Sequence, residues 1–458
     1  MKKTITFLAV WFLLAGVNAF AADVKNIIWV IGDGMGPETM GFFMEGVRYA
    51  GLPNYPKNVS AMETLLNKST WGLYFNNTYD TLVTDSAASA TQMATGQLSR
   101  PQFIGVDYNK EPVETLLEAA RKKGKAIGII SDAYITDATP ACFTAHTNDR
   151  NQKTEIAQQI IELAPEVVLG GGLKYFKSEA DKGTLLDKAK EKGYSVVFNK
   201  KELAAVKKGK VLGLFSAKGM PMAVEMHRYP DVPDVVEQTQ KALDLLENNK
   251  EGFVLMVEVG KIDWAAHAND AGALFQEMEL MDKLLAYLQK YTDQHKNTLL
   301  YINADHDTGL GSFHYHHVNP EMALRKTAQG EALYGNGDTD YGSFKVYHEL
   351  AAQKDTLQNI AKQLNDIHPF NRTPRSVQEK LTELLGYPVD ITQFKNPTDI
   401  GGVLHQLNEQ RGFVWATHSH SSAPLIGIAY GAGAEAFGGV YHNTDIYPRM
   451  KKVLGWSK

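Results

Sequence analysis

Cysteine is almost absent from this chain: Cys142 is the single one in 458 residues. A lone thiol cannot form an internal disulfide, so the core must hold the fold, with help from any bound metal. Cys142 itself reads as a small buried hydrophobe. Beyond the N-terminal segment there is no apolar run of bilayer-spanning length. Clusters of basic residues are missing, and acidic residues outnumber basic ones by 52 to 47, for a formal charge of −5. That balance excludes nucleic acid as a specific partner. Internal repeats and low-complexity linkers are missing as well, which excludes solenoids and tethered modules. What remains is ordinary globular composition, 44% hydrophobic and 22% charged. The length is enough for one large α/β domain carrying an insertion, or for two domains.

The N-terminus differs from the rest. Lys2 and Lys3 precede an apolar stretch from Ile5 to Val17, and Ala19-Phe20-Ala21 follows with small residues at both cleavage positions. This pattern predicts a signal peptide over 1–21, an exported domain over 22–458 and a periplasmic or secreted location. Loss of Lys2 and Lys3 would take the charge from −5 to −7.

Short apolar runs then recur: NIIWVIG (26–32), AIGIISD (126–132), EVVLGGG (166–172), SVVFN (195–199), GFVLMVE (252–258), NTLLYINAD (297–305) and LIGIAYG (425–431). Helical periodicity lies between them at 113–124, 153–164, 235–248 and 273–291. This alternation predicts an α/β fold, a largely parallel central sheet covered by helices on both faces. Ligands of such sheets sit beyond the carboxyl ends of the strands. Acids and histidines gather there: GDGMG (32–36), SDAYITDATPA (131–141), EVGKIDWAAH (258–267) and ADHD (304–307). The interval 308–416 reads as an insertion, with helical stretches at 344–366 and 376–386, and the chain rejoins the sheet at LIGIAYG.

Asp263 and His267 are one helical turn apart, so both side chains can face one metal ion. Glu258 stands at a strand exit. Asp305 and His306 form another pair, and Asp33 sits in a glycine-flanked turn. Any one of these pairs alone would read as a satisfied structural pair. Together, mixed imidazole and carboxylate sets suit zinc and oxygen-rich sets suit magnesium. Ser86 follows Asp85 at the mouth of an alanine-rich helix. A serine there is either a cap or a nucleophile placed where a phosphate meets helix N–H groups. Arg150 offers a planar fork to two phosphate oxygens.

The motifs GDGMG, TDSAASAT, DATPACFTAHTNDR, GKIDWAAH, ADHD and HSHSSAPLIGIAYG, in this order, closely resemble those of the alkaline phosphatases over almost the whole mature length. The resemblance implies phosphate monoester hydrolysis through a phosphoserine at a site of two zinc ions and one magnesium ion. It implies Ser86 as nucleophile, Arg150 as phosphate clamp and Asp85 as the residue orienting that clamp. Asp263, His267 and His420 would hold the first zinc, with His418 beside them. Asp33, Asp305 and His306 would hold the second zinc with Ser86, and Asp33 would bridge to magnesium. Thr139 and Glu258 would bind magnesium directly and Asp137 through water. The resemblance implies Arg150 and Trp264 as substrate-binding residues; many relatives with this tryptophan carry His where this chain has Asp137. The family also implies a homodimer, and extra loops like those of 308–416 shape the site entrance in some members. A sulfatase would need proline two residues after its nucleophile, and Ser86-Ala87-Ala88 lacks one. A diesterase usually lacks an arginine clamp and a third metal site. A phosphate- or metal-binding protein without turnover would not need Ser86 beside the metals.

Overall fold

A computed structural model describes residues 24–177, 184–317, 339–340, 342–392 and 394–456. The segment read as a signal peptide lies outside them. Ten strands build one sheet: β1 (Asn26–Gly32), β2 (Thr70–Phe75), β3 (Ala126–Tyr134), β4 (Val167–Gly171), β5 (Tyr194–Val197), β6 (Lys210–Leu214), β7 (Phe253–Val259), β8 (Thr298–Ala304), β9 (Leu425–Gly431) and β10 (Gly439–His442). Their spatial order is β10-β2-β9-β8-β1-β7-β3-β4-β6-β5.

The centre is parallel, with β1 lying between β7 and β8. Every residue of β1, β7 and β8 is buried. Continuous Val, Ile and Leu runs fit strands covered on both faces, where no position faces water. The fold is therefore the expected α/β architecture, with one departure: β9 runs antiparallel to both β8 and β2. The strands β2, β6 and β10 were not among the expected runs. β2 alternates exposed and buried positions, and β10 has only four residues, mostly outside the core.

The segment after β8 leaves and returns through short antiparallel pairs. Asp307–Thr308 pairs with His420–Ser421, and Ser312–Phe313 with Phe413–Val414. Between them Leu357, Ile360, Leu364, Val377, Leu381, Leu385 and neighbours form a second, smaller core. The helix expected over 344–366 is two helices, Val346–Ala352 and Leu357–Asn365. Gln353 breaks it: its amide bonds Asp270 and the Asp355 carbonyl. Thr356 then caps the second helix by accepting from Asn359 N.

Candidate active site

The carboxyl ends of β1, β3, β7 and β8 deliver the acids. Asp33 follows β1, Asp137 and Thr139 follow β3, Glu258 ends β7, and Asp305 and His306 follow β8. The GDGMG turn permits close packing: a Cβ on Gly36 would lie 2.1 Å from Asp307 Oδ1, and Gly34 has φ +70°.

Ser86 is the first residue of the Ser86–Thr95 helix, and Asp85 is the cap, accepting from Ala88 N at 3.0 Å. So the serine hydroxyl is not used as a cap. It is 4% exposed and reaches His306 Nε2 at 3.1 Å. The whole helix is buried, which its alanines and small polar residues allow.

Two groups of donors converge without any residue being added to those expected. Asp33, Asp305 and His306 bring one ligand atom each within 4.8 Å of one another, and so do Asp263, His267 and His420. In the first group His306 Nε2 lies 3.3 Å from Asp33 Oδ1 and 3.2 Å from Asp305 Oδ2. In the second, His267 Nε2 lies 3.3 Å from Asp263 Oδ1 and 3.1 Å from His420 Nε2. His420 Nε2 is 3.8 Å from Asp263 Oδ1. A tetrahedral zinc with donors about 2.1 Å away has donor–donor edges of about 3.4 Å, so both groups fit one. The rings of His306 and His420 stack at 3.5 Å and join the two groups. His418 lies outside both and turns its Nδ1 to the His267 carbonyl at 2.9 Å.

Burial makes these groups want a cation. Asp33 Oδ1 and Asp305 Oδ2 are buried with no hydrogen-bond partner among the described residues. Desolvation, then the charges of Asp305, Asp263 and Glu258, push the Asp33 carboxyl well above the usual range. Desolvation, then Asp263, push Asp305 up to about 6. Asp263 and Glu258 are raised chiefly by burial. His306 is held well below the ordinary imidazole value by burial and by His420 and His267. A neutral imidazole beside carboxylates without enough positive charge is a metal-ligand environment.

Glu258 forms an oxygen-rich third group. Ser131 donates to its Oε2, Thr139 faces the same carboxylate and Asp33 couples to it electrostatically. Asp137 lies nearby and raises the Glu258 proton affinity. Arg150 is fixed from two sides: Nη1 donates to Asp85 Oδ2 at 3.2 Å and Nη2 to Asp137 Oδ1 at 3.4 Å. Trp264 follows Asp263 on the same helix, and its indole lies against the Lys261 ammonium, 3.2 Å from the ring centroid, and near the Tyr134 ring.

These motifs and their order agree with a family model: the alkaline phosphatase model matches residues 24–456. This chain belongs to the alkaline phosphatase family. It is a phosphoric monoester hydrolase by that membership. Alkaline phosphatase 4 of Bacillus subtilis (strain 168) is 29% identical, the alignment covering 100% of this chain and 98% of the relative. Alkaline phosphatase 3 of the same organism is also 29% identical, over 95% of this chain and 90% of the relative. The crystal structure of a cold-active alkaline phosphatase from Shewanella sp. superposes with a TM-score of 0.76 at 28% identity, covering 94% of this chain and 100% of that one.

Several residues around the site escaped the motif reading. Thr308 Oγ1 donates to Asp263 Oδ1 at 2.6 Å. Gln102 donates to Asp85 Oδ2 from both its backbone N and its side-chain amide, at 3.0 Å each. Lys153 Nζ donates to Asp137 Oδ1 at 2.8 Å. Thr308 touches both donor groups, since its Oγ1 also lies 3.2 Å from His306 Nδ1, whereas Gln102 and Lys153 support Asp85 and Asp137. Adjacency to ADHD could have pointed to Thr308, and a position three after Arg150 to Lys153, though neither was singled out; Gln102 carries no local signal. No helix of the described residues is long and apolar enough to cross a membrane.

Proposed function

We propose that this phosphatase hydrolyses small phosphate monoesters in two steps through a phosphoserine on Ser86. The observation that carries this is Ser86 Oγ at 3.1 Å from His306 Nε2, the nitrogen facing Asp33 and Asp305. Two zinc ions, one at each histidine–carboxylate group, and one magnesium ion at Glu258, Thr139 and Asp137 suit these donors. When bound, they supply the positive charge that stabilises ionised oxygens at both ends of the transferring phosphoryl group.

The chain's own residues do the rest. Arg150, held by Asp85 and Asp137, grips two phosphate oxygens in its fork. The N-terminal N–H groups of the Ser86–Thr95 helix favour the same anion. Ser86 Oγ, having lost its proton, attacks phosphorus in line; the Oγ–P bond forms as the bond to the ester oxygen breaks. The alcohol oxygen leaves on the far side from Ser86, beside Asp263, His267 and His420, and takes a proton. Water from that side then attacks the phosphoserine, giving inorganic phosphate and returning the proton to Ser86. Positioning and charge stabilisation supply most of the acceleration. The family resemblance and the N-terminal segment support export to the periplasm or medium, and the resemblance supports a homodimer.

The test is hydrolysis of p-nitrophenyl phosphate between pH 6 and 11 by zinc- and magnesium-loaded protein and by Ser86→Ala. The proposal expects an alkaline-weighted rate that collapses in the variant; an equal rate in the variant removes Ser86 from the reaction.

A further inference from the structure

A cavity of about 790 Å³ opens beside Asp263 and His267, two residues of the Asp263–His267–His420 group. Small-molecule sites are roughly 300–1,000 Å³, so a molecule well beyond a phosphate fits. Asp263 and His267 form its inner wall. Its outer wall comes from the insertion: Leu357 and Ala361 on one helix, Leu404 on another, and Phe413 and Trp415 on the returning strand. Trp264 completes it from the core side.

The position sets what this cavity meets. On the in-line reaction proposed above the alcohol leaves toward the Asp263–His267–His420 group, and two of its residues, Asp263 and His267, line the cavity. The alcohol of the bound ester therefore projects into it.

The lining sets what kind of alcohol. The indoles of Trp264 and Trp415 and the side chain of Leu404 offer flat and aliphatic surface, set among uncharged polar groups such as Asn269, Gln358 and Asn408. No lysine or arginine is among the lining residues, and Glu409 at the rim faces His405 at 3.4 Å. An alcohol bearing a second phosphate or a carboxylate would find no cation there. Asn408 also lies on this wall, 8% exposed, and its Oδ1 has no hydrogen-bond partner among the described residues.

Resting on the phosphomonoesterase reading above, we infer that the insertion and Trp264 form an alcohol-binding subsite that selects monoesters of neutral alcohols carrying a flat ring.

The test compares 2-(1-naphthyl)ethyl phosphate with propyl phosphate. Both are esters of primary alkyl alcohols, so leaving-group basicity is matched and the ratio of kcat/KM reports binding. Burial of one aromatic ring predicts a ratio of about tenfold or more for the wild type. Ala361→Trp, which fills the cavity, and Leu404→Asn, which makes its wall polar, should each bring the ratio to within about threefold of unity. Competitive inhibition by the two matching phosphonates should show the same ratios. A wild-type ratio near unity, or a preference kept in both variants, overturns the inference while leaving the phosphatase reading intact. Hydrolysis of neither ester would sink that reading and the subsite with it.

Discussion

Lys153 Nζ lies 2.8 Å from Asp137 Oδ1, the same oxygen that accepts from Arg150 Nη2 at 3.4 Å. Asp137 thus sits between two cations. Burial alone would raise its carboxyl, but Lys153 and Arg150 outweigh burial and hold it below the usual carboxylate range. The side chains of Lys153 and Asp137 are 15% and 20% exposed, so water screens them only in part.

Lys153→Met should therefore loosen Asp137 and, through it, the Arg150 fork. The expected result is a rise in KM and in the inhibition constant for inorganic phosphate of about tenfold, or ~1.4 kcal/mol. kcat should change less, and Lys153→Arg should restore most of the affinity. Steady-state kinetics with phosphate as competitive inhibitor measure both. Unchanged phosphate affinity in the methionine variant would show that Asp137 does not need the lysine.

Thr308→Val should weaken metal retention at the Asp263–His267–His420 group. The hydroxyl donates to Asp263 Oδ1 and fixes that carboxylate. Removing such a supporting bond typically costs about 10–100-fold in metal affinity. Zinc-buffered titration followed by activity checks it, and excess zinc should restore the rate. A loss that zinc cannot rescue would place Thr308 in the fold rather than in ligand positioning.

Metal removal should make stability depend on pH, with the four raised acids favouring low pH and the depressed imidazoles of His306 and His420 opposing them. Asp33, Asp263, Asp305 and Glu258 are all raised in the folded protein, so the native state binds protons more tightly than the unfolded chain. Stability of the metal-free protein then falls as pH rises from the ordinary carboxylate range through about 6 and beyond. Tm after chelation should be higher at pH 5 than at pH 8. The metal-loaded protein, whose acids are neutralised by cations, should show the smaller dependence. A chelated protein with a flat Tm across that range would mean these acids are not strained by one another.

Much of the α/β sheet was legible because its central strands are continuous apolar runs that stop at glycine or acid. What was missed follows from the same physics. β2 shows part of its surface to water, so TWGLYF carries no clean run. β10 is short and its Val440 is 69% exposed. The break in the helix expected over 344–366 depends on Gln353 meeting Asp270 across the fold, which no local pattern reveals. At the site, residue types with strong chemistry stood out at strand exits. Their supports did not: Gln102 reaches Asp85 only because the chain folds back over it.

The central claim is that Ser86 carries the phosphoryl group between the two steps. The direct measurement is acid quenching of the zinc- and magnesium-loaded protein during turnover of a phosphate monoester at slightly acidic pH, followed by mass spectrometry of the peptide holding Thr84–Gly96. The account predicts an added phosphoryl group on Ser86, absent without substrate and absent in Ser86→Ala. Rapid turnover with no phosphoryl group on that peptide, and burst-free release of alcohol, would contradict it and point to direct attack by water.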